Sequence, residues 1–312
     1  MADYPKTLME LEKAFPDEAS CRAYLASIRW PAGFVCPACG NAGGLAIRRN
    51  LWRCNACERE SSVMAGTIFQ DSKLPLTVWF RGMWHVTSQK NGISAQGLQR
   101  VLGLGSYRSA WLMLHKLRKA MVRPGRDRLE GMVEVDETFW GAPQEGPAGR
   151  GAGAKALLAV AAEQVKGNNA KIGRIRLLQI PDASAQSLKH FIEQSIEPGS
   201  TVVTDGWSGY TGLDGYRHER IFQSGKRKPE ESEENLLPRV HRVASLLKRW
   251  LMGTHQGGVQ DKHLDDYLNE FTFRFNRRTS KSRGLLFYRL VEQAVQIEPT
   301  TYKMLVEHNG WG

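Results

Sequence analysis

The sequence lacks an apolar run of the eighteen or so residues that a membrane-spanning helix requires. It also lacks an export signal, because its first residues, Met1-Ala2-Asp3-Tyr4-Pro5, contain no basic stretch followed by an apolar one. We therefore expect no membrane partner and a cytoplasmic location, where thiols stay reduced. The composition is otherwise that of a globular protein, with 41% hydrophobic and 24% charged residues, and 312 residues suffice for two or three domains.

Cysteine is scarce, yet four of the five cysteines form two Cys-x-x-Cys pairs. Fourteen residues separate Cys36 and Cys39 from Cys54 and Cys57. This spacing is typical of two tight turns round one tetrahedral ion, so we expect one structural Zn²⁺ per chain on these thiolates. Two surface pairs or two small disulfide loops are the alternative, which the absence of a secretory signal disfavours, and a thioredoxin-type motif would need only one pair. Cys21, the fifth, is predicted to be a buried apolar side chain in a helix.

Acidic residues are in deficit, since 32 Asp and Glu stand against 43 Lys and Arg and the net charge is +11. The resulting isoelectric point is about 9.5. A surplus of this size favours a polyanionic partner such as DNA, because binding releases condensed counterions. Many basic proteins bind no nucleic acid specifically, so the prediction of DNA as a partner depends on the motifs.

Apolar spacing predicts helices in the first 124 residues. A helical pattern over 7–30 ends at Trp30-Pro31, where the proline blocks continuation. The cysteine pairs then occupy residues 34–70, a segment too short to bury a core without its zinc. Further helical patterns follow at 76–90, 94–102 and 106–121.

The last two of these helices form a helix-turn-helix pattern. Ser94 begins the first as an N-cap and Gly103 ends it, and a short turn leads into the second. The start of the second helix commonly meets base edges, which makes Tyr107, Arg108 and Ser109 candidate DNA contacts. An ordinary helix hairpin is the alternative. The neighbouring zinc ribbon and a basic flank favour DNA. That flank comprises Arg118, Lys119, Arg123, Arg126 and Arg128.

After Pro124-Gly125 the pattern changes to that of strands. Alternation over 132–140 predicts a strand that contains Asp136, and a buried strand at 201–205 ends in Asp205. This arrangement, with strands first and helices later, fits a mixed sheet covered by helices. The other predicted strands are 156–163, 172–180 and 217–222, and the predicted helices are 184–195, 238–252, 263–276 and 285–296.

Asp136 and Asp205 are carboxylates in buried strands, an arrangement that is costly unless they bind something, and a divalent cation is the expected ligand. Thirty-five residues after Asp205 comes His241, in a helix where Lys248 lies two turns further along the same face. Two acids on adjacent strands and a third ligand on a helix beside them are how an RNase H-like fold holds two metal ions for attack on a phosphodiester.

Each of these residues also has an ordinary structural interpretation. Asp136 would then cap a turn, Asp205 would cap the segment that begins at Gly206, and His241 would be a surface histidine. A competing candidate for the third position is Glu234, seven residues before His241. We rank it lower, because a charged loop is a poor place to hold a metal ligand.

Several different short motifs are spread along nearly the whole chain. They are Arg29-Trp30-Pro31 followed by Cys36-Pro-Ala-Cys39-Gly40, Ala65–Phe69, Leu74-Pro75-Leu76 with Trp79-Phe80, Val133–Thr138 with Gly141, Thr204–Trp207 with Gly209-Tyr210, Ser245–Arg249, Gly253-Thr254-His255, and Glu270–Arg278. On these motifs the chain resembles bacterial insertion-sequence transposases that join an N-terminal zinc ribbon and helix-turn-helix to an RNase H-like DDE catalytic domain.

The resemblance implies roles for particular residues. Asp136 and Asp205 match the first two catalytic acids, and Lys248 matches the basic residue that follows the third and grips a terminal phosphate. The sequence departs from the commonest pattern at the third position, where many such enzymes have Glu and this chain has His241. Members of the family use Glu, Asn or His there. A neutral nitrogen in place of an oxygen should hold one metal less tightly and tolerate softer ions such as Mn²⁺.

The helix that carries His241 is also basic. Arg242, Lys248 and Arg249, together with Trp250, are expected to follow the DNA backbone, although a solvated helix face is the alternative for any one of them.

These expectations combine into one prediction. The chain is α/β, with an N-terminal helix and zinc ribbon at 1–72, a helix-turn-helix region at 73–124, and an RNase H-like catalytic domain at 125–312. We expect it to bind the ends of its insertion sequence, cleave them, and join the 3′ hydroxyls to target DNA.

It would act as a homo-oligomer at the bacterial nucleoid, with one structural Zn²⁺ and two catalytic Mg²⁺ or Mn²⁺ ions. The alternative is a catalytically inert zinc-ribbon DNA-binding protein or transcription regulator derived from a transposase. The presence of both aspartates favours the enzyme.

Overall fold

The computed structural model describes residues 4–141, 155–222 and 236–307, and the chain divides into two compact units. The ribbon unit comprises residues 1–124 together with 279–312, and the sheet unit comprises residues 125–278. The expected domains differ at one point, because the sequence placed residues 279–312 with the sheet, whereas here they group with the N-terminal segment.

The described helices and strands, in chain order, are α1 Leu8–Ala14, α2 Glu18–Arg29, β1 Gly44–Ile47, β2 Leu51–Cys54, β3 Glu60–Ser62, α3 Leu76–Ser88, α4 Ala95–Leu102, α5 Tyr107–Ala120, β4 Met132–Trp140, β5 Ala156–Val165, β6 Asn168–Ile180, α6 Ala185–Ser195, β7 Thr201–Thr204, β8 Arg217–Arg220, α7 Pro238–His255, α8 Leu264–Phe275, α9 Arg283–Ala294 and α10 Tyr302–Glu307. No helix among these is long and apolar enough to cross a membrane.

The N-terminal helix expected over 7–30 is two helices, because α1 ends at Ala14 and α2 begins at Glu18. Pro16 interrupts the run, and Asp17 caps α2 by accepting a hydrogen bond from the Ser20 amide at 2.8 Å. Cys21 is fully buried in α2, as the sequence indicated.

The zinc ribbon is a three-stranded antiparallel sheet in which β2 lies between β1 and β3. Trp30 packs against Phe34 and Trp52, with ring centroids 4.8 and 5.0 Å away, and forms the small apolar centre of the ribbon. The turn between β1 and β2 places Arg49 and Asn50 in the left-handed region, with φ of 63° and 59°.

Helices α3, α4, α5, α9 and α10 form the rest of the described ribbon unit. The fully buried Phe287 of α9 packs its ring against Phe80 and Trp84 of α3, with centroids 5.6 and 6.0 Å apart. A helix from the far end of the chain therefore completes the core built by the N-terminal segment.

The sheet unit contains five strands in the order β6-β5-β4-β7-β8. Strands β4, β5 and β6 are antiparallel neighbours, whereas β7 is parallel to both β4 and β8. Helix α6 packs on one face of this sheet through Leu188, Phe191 and Ile192, and α7 and α8 cover the other. The prediction of an RNase H-like mixed sheet flanked by helices, preceded by a zinc ribbon and a helical region, is confirmed in this arrangement.

Candidate active site

The four ribbon cysteines converge as one group. Their sulfur atoms all lie within 4.8 Å of one another, and the Cys36–Cys57 and Cys39–Cys54 sulfur pairs are both 3.7 Å apart. Tetrahedral zinc, with bonds of about 2.3 Å, separates its sulfur ligands by about 3.8 Å, so the thiols fit the ion and are too far apart for disulfides.

Backbone amides favour the thiolate form at two of these four cysteines, Cys36 and Cys54, whereas the neighbouring thiols raise the pKa of Cys39. Amides of Cys39 and Ala38 lower the pKa of the Cys36 thiol to about 6, and amides of Cys57 and Ala56 lower that of Cys54. A lowered thiol pKa favours the thiolate, which is the form that binds zinc.

Strands β4 and β7 bring the two predicted acids to the same level of the sheet. In their parallel register Met132, Val133 and Glu134 lie opposite Thr201, Val202 and Val203. The same offset, continued for two residues, brings Asp136 level with Asp205, which is the first residue after β7. Because side chains alternate, both carboxylates face the side covered by α7, where Val203 also lies.

His241 approaches the first of these acids directly. Its Nε2 lies 3.1 Å from Oδ2 of Asp136, while Oδ1 of Asp136 accepts a hydrogen bond from the Glu137 amide at 2.8 Å. Burial raises the pKa of the Asp136 carboxyl, and the nearby Asp205 carboxylate raises it further, against the effects of the Glu137 amide and His241. A cation at this position would offset both the free-energy cost of burying the Asp136 carboxylate and its repulsion by Asp205.

Asp205 stands slightly apart from this pair. One of its oxygens accepts a hydrogen bond from the Trp207 amide at 3.0 Å, so part of its predicted structural role, capping the segment after Gly206, is present. The donor atoms of Asp136, Asp205 and His241, all in the described part of the chain, do not fall within 4.8 Å of one another as the cysteine sulfurs do. The site is thus an Asp–His pair with a second carboxylate at the residue that follows the next strand, β7.

The start of α7 is fixed by Glu134, whose role the sequence did not indicate. Oε2 of this buried carboxylate accepts hydrogen bonds from the backbone amides of Arg239 at 2.7 Å and Val240 at 3.0 Å, and Oε1 pairs with the Arg239 guanidinium. The face of β4 that carries Asp136 is therefore more polar than expected. The sequence did contain one signal for this role, because the alternation of side chains along the strand places Glu134 on the same face as Asp136.

The basic residues of α7 lie on its exposed side. Arg242, Lys248 and Arg249 are exposed as residues. Neighbouring groups still remove part of the water from around the Lys248 ammonium, and this desolvation, followed by repulsion from Lys155, lowers its pKa. Trp250 is different, because its side chain is 9% exposed and packs against aromatic residues of α8. The expectation that Trp250 follows DNA is therefore wrong, since the helix turns that side toward the core.

The predicted helix-turn-helix residues lie at the start of α5. Tyr107 is 54% exposed, Ser109 is half-buried, and the exposed Arg108 stacks its guanidinium on Tyr302 of α10 at 3.5 Å. Gly103 ends α4 in the left-handed conformation, as the turn requires. Arg118, placed by the sequence in the basic flank, is 1% exposed and unavailable to DNA.

The competing residue Glu234 and the charged loop around it lie outside the described residues.

Known protein families match two segments of the chain, one in each of its two units. The transposase zinc-ribbon domain family matches residues 16–60, and the ISXO2-like transposase domain family matches residues 128–276. An uncharacterized protein in transposable element ISH50 of Halobacterium salinarum is 26% identical over 284 residues, which cover 84% of this chain and 92% of that protein.

A solved structure, the catalytic core domain of BIV integrase, is similar over 45% of this chain and 81% of its own, at 16% identity and a TM-score of 0.27. The two matched domains follow one another in the order that the motifs predicted. The chain therefore joins a segment that matches the transposase zinc-ribbon domain family to a segment that matches the ISXO2-like transposase domain family, as the resemblance to insertion-sequence transposases predicted.

Proposed function

We propose that this protein is an active DNA transposase that binds the ends of its insertion sequence, cleaves them and joins the freed 3′ hydroxyls to target DNA. The observation that carries the proposal is the parallel pairing of β4 with β7, which brings Asp136 level with Asp205 at the end of β7, together with the 3.1 Å distance from His241 Nε2 to Asp136. Carboxylate oxygens and an imidazole nitrogen are donor types that suit a divalent cation, and the nitrogen makes Mn²⁺ as suitable as Mg²⁺.

The chemistry consists of two phosphoryl transfers. In cleavage, the oxygen of a water molecule bonds to phosphorus at the element end, the bond from phosphorus to the element's 3′ oxygen breaks, and that oxygen takes up a proton. In joining, the 3′ oxygen bonds to a target phosphorus, loses its proton and displaces a target 3′ oxygen, so one phosphodiester forms as one breaks. Bound divalent cations would activate the attacking oxygen and neutralise charge on the leaving one.

The side chains would divide the remaining work. Asp136, Asp205 and His241 would hold the cations, and Lys248 would bind a phosphate of the terminal nucleotide. Arg242 and Arg249, on the exposed side of α7, would contact the DNA backbone. In the ribbon unit, the DNA contacts would come from Tyr107, Arg108 and Ser109. Joining two ends calls for two active sites, so we propose a homo-oligomer in the synaptic complex.

The test is cleavage and strand transfer in vitro, using linear DNA that carries the native element ends, with and without Mg²⁺ or Mn²⁺. Asp136→Asn and Asp205→Asn should each lower cleavage by orders of magnitude while end binding persists, because the acids hold cations rather than DNA. A variant that cleaves at even a tenth of the parent rate would refute the site assignment. A parent chain that binds the ends yet cleaves with neither ion would instead support an inert DNA-binding regulator.

A further inference from the structure

Helix α7 begins without a cap from its own sequence. Leu237 occupies the N-cap position and provides no side-chain hydrogen bond, and Pro238 follows as the first helical residue. The first amides of a helix need acceptors, and buried ones left without them cost stability. At α7 the acceptor comes from a residue more than a hundred positions earlier in the chain.

That acceptor is Glu134. Its Oε2 receives the amides of Arg239 and Val240 at 2.7 and 3.0 Å, and its negative charge lies at the positive end of the helix dipole. The side chain of Arg239 adds a second attachment, because its guanidinium pairs with Oε1 and also donates to Oε1 of Gln164 on β5 at 2.8 Å. The first turn of α7 is thus held to two neighbouring strands.

The anchor and the candidate metal ligand belong to the same rigid elements. Glu134 and Asp136 stand two residues apart on one face of β4, which is paired with strands on both sides. His241 comes one residue after the anchored Val240, and its own amide donates to the Leu237 carbonyl at 3.2 Å. Fixing the amides of Arg239 and Val240 to Glu134 therefore fixes the backbone of His241 relative to Asp136.

We propose that Glu134 is a positioning residue that acts through His241, holding the imidazole at hydrogen-bond distance from Asp136. The consequence for catalysis rests on the proposed function, whereas the geometry does not. A plain stabilising ion pair is the competing explanation. It predicts that loss of Glu134 weakens the whole sheet unit without a specific effect on His241.

The sheet unit supplies a matched control in Glu163. This carboxylate is also largely buried, accepts backbone amides from Glu130 and Arg174 at 3.0 Å each, and pairs with the Arg174 guanidinium at 2.6 Å. It has the same bonding pattern as Glu134 but attaches no part of α7. Glu163→Gln should therefore reproduce the loss of stability without the loss of positioning.

The first measurement is ¹⁵N NMR of selectively histidine-labelled full-length protein at fixed pH, with His241→Ala used to assign the His241 signal. In the parent chain we expect the ring nitrogens of His241 to show one dominant tautomer, because Asp136 faces Nε2. In Glu134→Gln they should move toward the averaged signals of a free imidazole, whereas Glu163→Gln should leave them unchanged. Unchanged His241 signals in a folded Glu134→Gln variant would overturn the inference.

The second measurement is a double-mutant cycle in strand transfer. Glu134→Gln should lower the rate ten- to hundredfold, as loss of a residue that orients a metal ligand commonly does. In a His241→Ala background, the same change should have little further effect, whereas Glu163→Gln should act equally in both backgrounds. Equal losses from Glu134→Gln in both backgrounds would overturn the inference. A parent with no strand transfer would count against the proposed function instead, and the NMR result would still decide the role of Glu134.

Discussion

Two carboxylates on one face of β4 have different chemistry because their surroundings differ. Glu134 is 3% exposed and receives two backbone amides and a guanidinium, so the protein itself balances its charge. Asp136 receives the Glu137 amide and faces an imidazole, and burial raises its pKa. The first residue therefore acts as an anchor, and the second keeps charge that can hold a cation.

His241 is the residue whose substitution says most about the metal. His241→Ala should lose most strand transfer with either ion, whereas His241→Glu should retain some activity and shift the preference toward Mg²⁺, because oxygen is the harder ligand. Comparing rates in Mg²⁺ and Mn²⁺ measures the shift. His190→Ala on α6, across the sheet, is the control and should change neither rate. Full activity in His241→Ala, with none in Glu234→Gln, would move the third position to Glu234.

Arg49 has an unfavourable backbone conformation for a residue with a side chain, with φ of 63° in the β1–β2 turn. Arg49→Gly should raise the free energy of unfolding of the ribbon unit by about 1 kcal/mol, because glycine adopts this region without a Cβ clash. Thermal unfolding followed by tryptophan fluorescence measures the change, since Trp52 lies in the adjoining strand. Arg48→Gly, at a neighbouring position without positive φ, should give no gain, and a gain there would contradict the explanation.

At the scale of elements, the zinc ribbon has little to hold it together except its ion. Its three strands contribute eleven residues, and Trp30 packs against the rings of Phe34 and Trp52. We expect metal analysis to find one zinc per chain, and Cys54→Ser or chelation to unfold the ribbon and abolish end binding. Amide exchange in β4 to β7 should stay slow. Cys21→Ala removes a buried thiol outside the cluster and should retain the zinc, whereas zinc loss there would contradict the assignment.

Sequence patterns predicted the parts of the molecule that depend on nearby residues. The four cysteines, the Gly103 turn and the strand that carries Asp136 all follow from local spacing, and the structure has them. The strand predicted to end in Asp205 is also present, but it ends one residue earlier, at Thr204. The break between α1 and α2 was missed, although Pro16 marked it.

Sequence patterns gave wrong predictions where contacts between residues far apart in the chain determine the environment of a side chain. Trp250 and Arg118 were assigned to surfaces, but tertiary packing turns both toward the interior. Glu134 was read as one residue of an alternating strand, because its partners lie 105 and 106 positions away. The unit to which α9 belongs could not be predicted for the same reason, because Phe287 contacts Phe80, about two hundred positions earlier, only in the folded chain.

At the scale of the whole molecule, the sheet unit is one continuous segment whereas the ribbon unit is made of two. A fragment of residues 125–278 should therefore fold alone, with cooperative thermal unfolding, because it contains its own sheet and both helical layers. Residues 1–124 alone should not unfold cooperatively, since α9 is missing. Joining residues 279–312 to 1–124 through a flexible linker should restore cooperativity, and failure to do so would contradict the division into units.

The divided ribbon unit has a consequence for the order of events during synthesis. The ribosome delivers residues 1–124, the first part of the ribbon unit, and residues 125–282 must then follow before α9 emerges to cover Phe80 and Trp84. At about 5–20 residues per second, this interval lasts roughly 8–30 s. The sheet unit can reach its native state while the nascent ribbon unit still exposes aromatic surface. The part of the chain translated first is thus the last to finish folding.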